Sequence, residues 1–185
     1  MIKIFRVGNQ KSSRAIEINF QINDYFIDKC SQLTVKCCKD IILYDDFTYE
    51  GILVLNKLLI KAINSKLQIK DQLGEKGIGY TWNIICNSLA NDKKSDDDRI
   101  SIYHAWSTTS NIGKDTWLYN IGDKIYMEIS DTYKWHFSDP ESYPDYITFE
   151  EFIVNYKPIN LIQLEREDVN KMVRFCQEIL SKLNT

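Results

Sequence analysis

No apolar run in this chain approaches the ~18 to 20 residues that a membrane-crossing helix needs. Its start, Met1-Ile2-Lys3-Ile4-Phe5-Arg6, carries neither the long apolar stretch nor the small-residue cleavage site of a secretory leader. Seven glycines and three prolines in 185 residues are too few for a collagen-like or Pro/Gly-rich disordered chain. A basic excess is missing as well. The chain has 23 Lys and Arg against 26 Asp and Glu, a net charge of −3, whereas nucleic-acid binders usually carry cations that displace condensed counterions. Direct DNA or RNA binding is therefore disfavoured. Mild acidity suits a cytoplasmic protein, or one whose partner is basic. No Cys-x-x-Cys occurs, and there are only two histidines, His104 and His136. The five cysteines, with Cys37 and Cys38 adjacent, form neither a zinc pattern nor a disulfide framework. Free buried thiols are expected, with no metal and no cofactor.

What is present fits an ordinary globular composition, with 44% apolar and 12% aromatic residues. The length predicts one domain over residues 1–185, with the charged stretch 91–99 as an internal connector that could divide it. Ile2 and Ile4, with Arg6 continuing the alternation, and then Ile16, Ile18, Phe20 and Ile22 have the period of two of strands with one buried face. Residues 24–44 fit a short helix over Tyr25, Phe26 and Ile27, then strands around Leu33 and Val35 and at Ile41–Tyr44. Ile52, Leu55, Leu59, Ala62, Ile63 and Leu67 recur at helical spacing, with Asp46 or Thr48 as cap. A short helix over Tyr80–Leu89 follows, capped by Thr81. Ile100, Ile102, His104 and Trp106 should share one strand face. Thr116–Tyr119 and Lys124–Ile129 predict a hairpin. Thr148 with Glu151 matches a capping box. The last helix spans about Glu165 to Leu183, with Val169, Met172, Val173, Cys176, Ile179, Leu180 and Leu183 on its core face. Strands grouped together without βαβ alternation imply an α+β fold, a mainly antiparallel sheet against several helices with a C-terminal helix.

Motifs that carry chemistry are sparse. Gly74-Glu75-Lys76-Gly77-Ile78-Gly79 matches neither phosphate-binding glycine pattern, and Glu75 would repel phosphate; it is expected to be a turn. No nucleophile elbow occurs. His104 is expected to be a packed, hydrogen-bonded histidine beside Trp106. His136, between Trp135 and Phe137, is either a pH-sensitive surface residue or half-buried filler. Pro144-Asp145 precedes Glu150-Glu151, but the Glu-x-Lys that a metal-dependent nuclease would add is absent. Asp96-Asp97-Asp98 is a solvated charge run without calcium-loop spacing. No catalytic residue is assigned.

The anomaly is aromatic. Residues 103–156 hold 13 of the 23 aromatics, and Trp135 to Tyr156 carries Asp139, Glu141, Asp145, Glu150 and Glu151 with no Lys or Arg. Aromatics dominate interface anchors, and carboxylates around them would steer a basic partner; the same residues could equally be core. Trp117-Leu118-Tyr119, Ile125-Tyr126-Met127-Glu128-Ile129-Ser130, Tyr133-Lys134-Trp135, Phe149-Glu150-Glu151-Phe152 and Asn155-Tyr156-Lys157-Pro158 resemble small immunity proteins encoded beside bacterial polymorphic or contact-dependent inhibition toxins. The likeness covers about residues 103–158. It implies a cytoplasmic, non-enzymatic protein that binds a cognate toxin C-terminal domain, often a nuclease, and occludes its active site. Trp117, Tyr119, Glu128, Trp135, Asp139, Glu141, Tyr143 and Asp145 are the candidate partner contacts. The alternatives are a small hydrolase with an unrecognised site and a small-ligand regulatory module.

Overall fold

A computed structural model describes residues 1–8, 16–23, 27–28, 30–38, 40–69, 76–90, 98–108, 113–136 and 143–183. Tyr25 and Phe26 of the expected short helix, Gly74 and Glu75 of the expected turn, and most of the 91–99 connector lie outside these residues; Ile27, the remaining residue of that helix, is not helical. The fold is α+β. Strands β1 (Ile2–Val7), β2 (Ile16–Ile22), β3 (Gln32–Cys37) and β4 (Ile41–Phe47) form one antiparallel sheet in chain order and run directly into α1 (Thr48–Ile63). After α2 (Ile78–Ala90) and a 3-10 turn at Asp98–Tyr103, a second sheet repeats the plan. It contains β5 (His104–Ser107), β6 (Lys114–Ile121), β7 (Lys124–Asp131) and β8 (Asn160–Leu164), and leads into α4 (Arg166–Leu183). A short α3 (Phe149–Val154) is inserted before β8. The chain therefore contains the same unit twice, a four-stranded meander closed by a helix, although no period of roughly 20–50 residues recurs in its sequence.

The period-two strands bury the residues they should. Ile18, Phe20 and Ile22 face inward beside Cys37, Val35 and Leu33, their cross-strand partners. β1 does the reverse of its expected pattern. Phe5 pairs with Ile18 and Val7 with Ile16, which turns Phe5 and Val7 inward and leaves Ile2 and Ile4 64% and 51% exposed. A one-residue change of register exchanges the two faces of a strand, and pairing with β2 decides it. The expected face at 100–106 also fails, because the chain turns through the 3-10 segment and the β5–β6 register shifts between His104 and Trp106. That shift puts the successive residues Ala105 and Trp106 inside.

Helix α1 buries Ile52, Leu55, Leu59 and Ala62 as expected, but Leu67 is buried beyond the helix end. Neither Asp46 nor Thr48 caps it; the N-cap is Phe47, with no side-chain bond. Thr81 lies inside α2 rather than at its start. Thr148 and Glu151 do form the capping box of α3. In α4, Val169, Met172, Cys176, Ile179 and Leu183 are buried together with Phe175, while Val173 and Leu180 are only half-buried at the flank. β8 was not foreseen: five residues beginning two positions after Pro158 are too few to show a period.

The two units share one core. α1 lies against α4 and touches strands of both sheets, and α4 reaches β1. Trp106 carries the second sheet into the first, its ring 6.1 Å from Phe20 and 5.8 Å from Tyr44 and its indole N–H donating to the Gly51 carbonyl at 3.0 Å. Buried Asn120 ties the end of α1 to β6: its amide donates to the Ala62 carbonyl (3.0 Å) and its Oδ1 accepts from the Leu67 N–H (3.2 Å). Among the described residues no helix is long and apolar enough to cross a membrane.

All five cysteines are free. Cys37 and Cys176 are buried, and burial pushes both thiols up to about 12; Cys30 and Cys38 are exposed, against the expectation of buried thiols. With no disulfide to reduce, adding excess reductant should leave the melting temperature unchanged in a thermal scan. A fall of more than a few degrees would contradict this.

Candidate functional site

On β6 and β7 the residues Trp117, Tyr119, Glu128 and Ser130 point to the side away from α1, because Trp117 stands opposite Glu128 across the ladder. This side is not open: α2 packs on it. Glu128 is fully buried and sits under the first turn of α2. Its Oε2 accepts from the Ile78 N–H at 2.9 Å and the Tyr119 hydroxyl at 3.0 Å; its Oε1 accepts from the Gly79 N–H at 2.9 Å and the Tyr156 hydroxyl at 3.4 Å. The carboxylate thus does for α2 what a capping side chain does, satisfying orphan N–H groups at the positive end of the helix. Burial raises the Glu128 pKa, and the four donors oppose that rise. Gly77 has φ +87°, and a Cβ there would stand 2.5 Å from Glu128 Oε2. A Cβ at Gly79 would collide with Ser130 and Tyr156. These glycines let a helix end approach a carboxylate, not a phosphate. Asn83 completes the attachment of α2: its amide donates to the carbonyls of Gly79 (2.8 Å) and Asp131 (3.0 Å), and its Oδ1 accepts from the Tyr133 N–H (2.6 Å).

Three of the candidate contacts are consequently interior. Trp117, Tyr119 and Glu128 are at most 2% exposed and offer no surface to a partner. The face that carries them is covered by α2. Trp135 is half-buried, with its ring 5.0 Å from Tyr143 and 6.2 Å from Tyr146. Tyr143 and Asp145 are exposed. Asp145 is ion-paired with Lys134, whose ammonium also lies 4.5 Å from the Trp135 ring centre. Asp139 and Glu141 lie outside the described residues.

His104 is the packed, hydrogen-bonded residue expected, although its aromatic neighbours are Trp82 and Trp117 rather than Trp106. Its Nε2 lies 3.1 Å from Asp115 Oδ1 and 3.0 Å from Ser107 Oγ, and Ser107 donates to the same Asp115 oxygen at 2.6 Å. A nucleophile relay needs the acid on one ring nitrogen and the hydroxyl on the other. Here both meet at Nε2, and the one Ser107 proton is directed at Asp115, which also accepts from Thr132. The arrangement orients a buried carboxylate between β5 and β6. Among the described residues no three of His, Cys, Asp and Glu converge as metal ligands.

The exposed side of segment 131–159 is built differently. Tyr133, His136, Phe149 and Phe152 pack as an aromatic cluster, with ring centres 5.0 to 5.6 Å apart for the Tyr133–His136, Tyr133–Phe149, Tyr133–Phe152 and His136–Phe149 pairs. His136 is half-buried, and burial pushes its imidazole down to about 4, so it stays neutral near pH 7 rather than sensing it. Beside this cluster a groove of about 560 Å³ is lined by Ile147, Phe152, Tyr156 and Ile159 together with the charged Asp131, Glu151 and Lys157. Tyr143, Ile147 and Val154 in the same segment are 54%, 44% and 75% exposed. Sequence reasoning missed the groove because its lining is assembled from a loop, a one-and-a-half-turn helix and the approach to β8. Comparison with family models, curated proteins and solved structures finds no match to this chain.

Proposed function

We propose that this chain is a cytoplasmic immunity-type protein that binds the C-terminal domain of a cognate toxin and occludes it, without catalysing a reaction. The observation that carries the proposal is the groove beside α3, lined by Ile147, Phe152 and Ile159 together with Asp131, Glu151 and Lys157, with Tyr143 and Val154 exposed in the same segment. Isolated apolar residues on a surface need no explanation, but apolar side chains that line one groove with charged ones have the composition of an interface. Tyr143 has the shape of an anchor: large, amphipathic and cheap in conformational entropy. Glu150, in the first turn of α3, supplies negative charge suited to a basic partner. Asp145 contributes less than its charge implies, because Lys134 already neutralises it.

The test is complex formation with the toxic C-terminal domain encoded by the neighbouring gene. Tyr143→Ala should raise the dissociation rate by about 2 kcal/mol in binding free energy. Glu150→Lys should instead slow association, and the slowing should fade at high salt as charges beyond ~8 Å are screened. Both variants should melt as the wild type does. Unchanged kinetics in both would move the interface elsewhere, and absence of any complex would sink the immunity reading itself.

A further inference from the structure

β1 stands at one edge of the first sheet. Among the described residues it pairs only with β2, and a groove of about 430 Å³ lies between it and α4. The register shows which main-chain groups face this groove. Met1 and Ile22 exchange both hydrogen bonds, N to O at 2.6 and 2.8 Å. In an antiparallel ladder bonded pairs alternate, so Lys3, Phe5 and Val7 bond to β2, while the N–H and C=O groups of Ile2, Ile4 and Arg6 point outward. The side chains of Ile2 and Ile4 are exposed on the outer sheet face, and Lys3 is turned to the other face with its ammonium over the Phe5 ring. The groove is lined by Lys3, Arg6, Lys171 and Arg174 and by Asp168 and Glu178; Arg6 is ion-paired with Glu17, Lys171 with Glu167 and Asp168, and Glu178 with Lys182, so the lining cations outside these pairs are Lys3 and Arg174. A chain of net charge −3 thus sets two cations, Lys3 and Arg174, beside an open strand edge.

We infer that β1 is a docking edge for an extended, acidic segment of a partner protein, which adds as a fifth strand to the first sheet. Main-chain bonds to Ile2, Ile4 and Arg6 supply the pairing. Alternate side chains of the incoming strand point to opposite faces. Acidic ones on the α4 side meet Lys3 and Arg174, and apolar ones on the outer side cover Ile2 and Ile4. Edge strands are normally guarded by charge or proline; here the cations outside the local ion pairs, Lys3 and Arg174, favour an acidic visitor over a basic one. The inference does not rest on the toxin-binding reading, and the surface is distinct from segment 143–154.

The probe is a fluorescein-labelled peptide alternating Glu and Val over seven residues, titrated with the full chain and followed by anisotropy, beside two controls. One control replaces Glu by Lys, and the other is N-methylated at every second residue so that it cannot donate along one edge. The acidic peptide should bind saturably, at least about tenfold more tightly than either control. Ile4→Pro removes one outward N–H that β2 does not use, a position where an edge strand tolerates proline, and should weaken binding by a similar factor. Arg174→Glu should weaken the acidic peptide alone. Circular dichroism checks the fold of both variants, and the N-methylated peptide needs no substitution at all. Equal binding by the methylated peptide, equal binding by a folded Ile4→Pro variant, or no saturable binding would each overturn the inference. So would sedimentation of the free chain as a dimer that Ile4→Pro converts to monomer, because the edge would then belong to a second copy.

Discussion

Replacing Glu128 by Ala is expected to remove about 3–5 kcal/mol of folding stability, because four neutral donors lose their shared buried acceptor. The loss has two parts. Two backbone N–H groups at the start of α2 and two tyrosine hydroxyls would face a space with no acceptor, and each orphaned buried donor costs about 1–3 kcal/mol before relaxation. The truncation also leaves a cavity under α2. Against a typical total of about 5–15 kcal/mol, that can leave α2 detached or the chain unfolded. Urea denaturation followed by tryptophan fluorescence and circular dichroism would measure it; a loss below about 1 kcal/mol would show that α2 does not depend on this carboxylate.

Glu128→Gln refines the result. One amide oxygen still accepts, but the NH₂ group is set against donors, so a smaller loss is expected. Its pH dependence has a definite sign. Burial raises the folded-state pKa of Glu128 above the ordinary 4.5. A group protonated more readily in the folded state contributes fully at pH below 4.5 and loses that contribution as pH rises through its raised value. The stability gap between wild type and Glu128→Gln should therefore be widest in acid and narrow toward neutrality. A gap that widens with pH would mean that the four donors outweigh burial.

Trp106→Ala is the second large effect, expected at about 3–5 kcal/mol for a buried Trp. Only 2% of this residue is exposed. Its ring is the bridge on which Phe20 of β2, Tyr44 of β4 and the Gly51 carbonyl of α1 all converge. Removing it opens a void between the two repeated units, not within one. Trp106→Phe keeps most of the ring and should cost less than half as much, since the Gly51 carbonyl lies within α1 and retains its place in the helix. Both variants should still unfold in a single transition if the units share one core. Two separated transitions on truncation would instead show that each meander-plus-helix unit is stable alone.

The sequence by itself determined most of the local structure. The alternation of Ile18, Phe20 and Ile22, the helical spacing from Ile52 to Ala62, the hairpin around Gly122, the box of Thr148 and Glu151 and the stripe of α4 all lie where a period or a cap puts them, because each is set by neighbours within a few residues. It also determined the α+β class, since grouped strands and separate helices leave few other ways to bury one face of each. Only the tertiary structure decided which faces are interior. Glu128 and Ser130 alternate with Met127 and Ile129 just as solvent-facing residues would; they are buried because α2, about 50 residues away in sequence, lays its N-terminus on them. Ile2 and Ile4 look like core and are exposed, because β1 takes its register from β2 and stands at the edge. The same cause explains the candidate contacts: Trp117 and Tyr119 have the composition of an interface, and their partner proved to be a helix of the same chain. A residue's type and period record that one side of it must be covered; what covers it is fixed by contacts distant in sequence, which a local pattern does not carry.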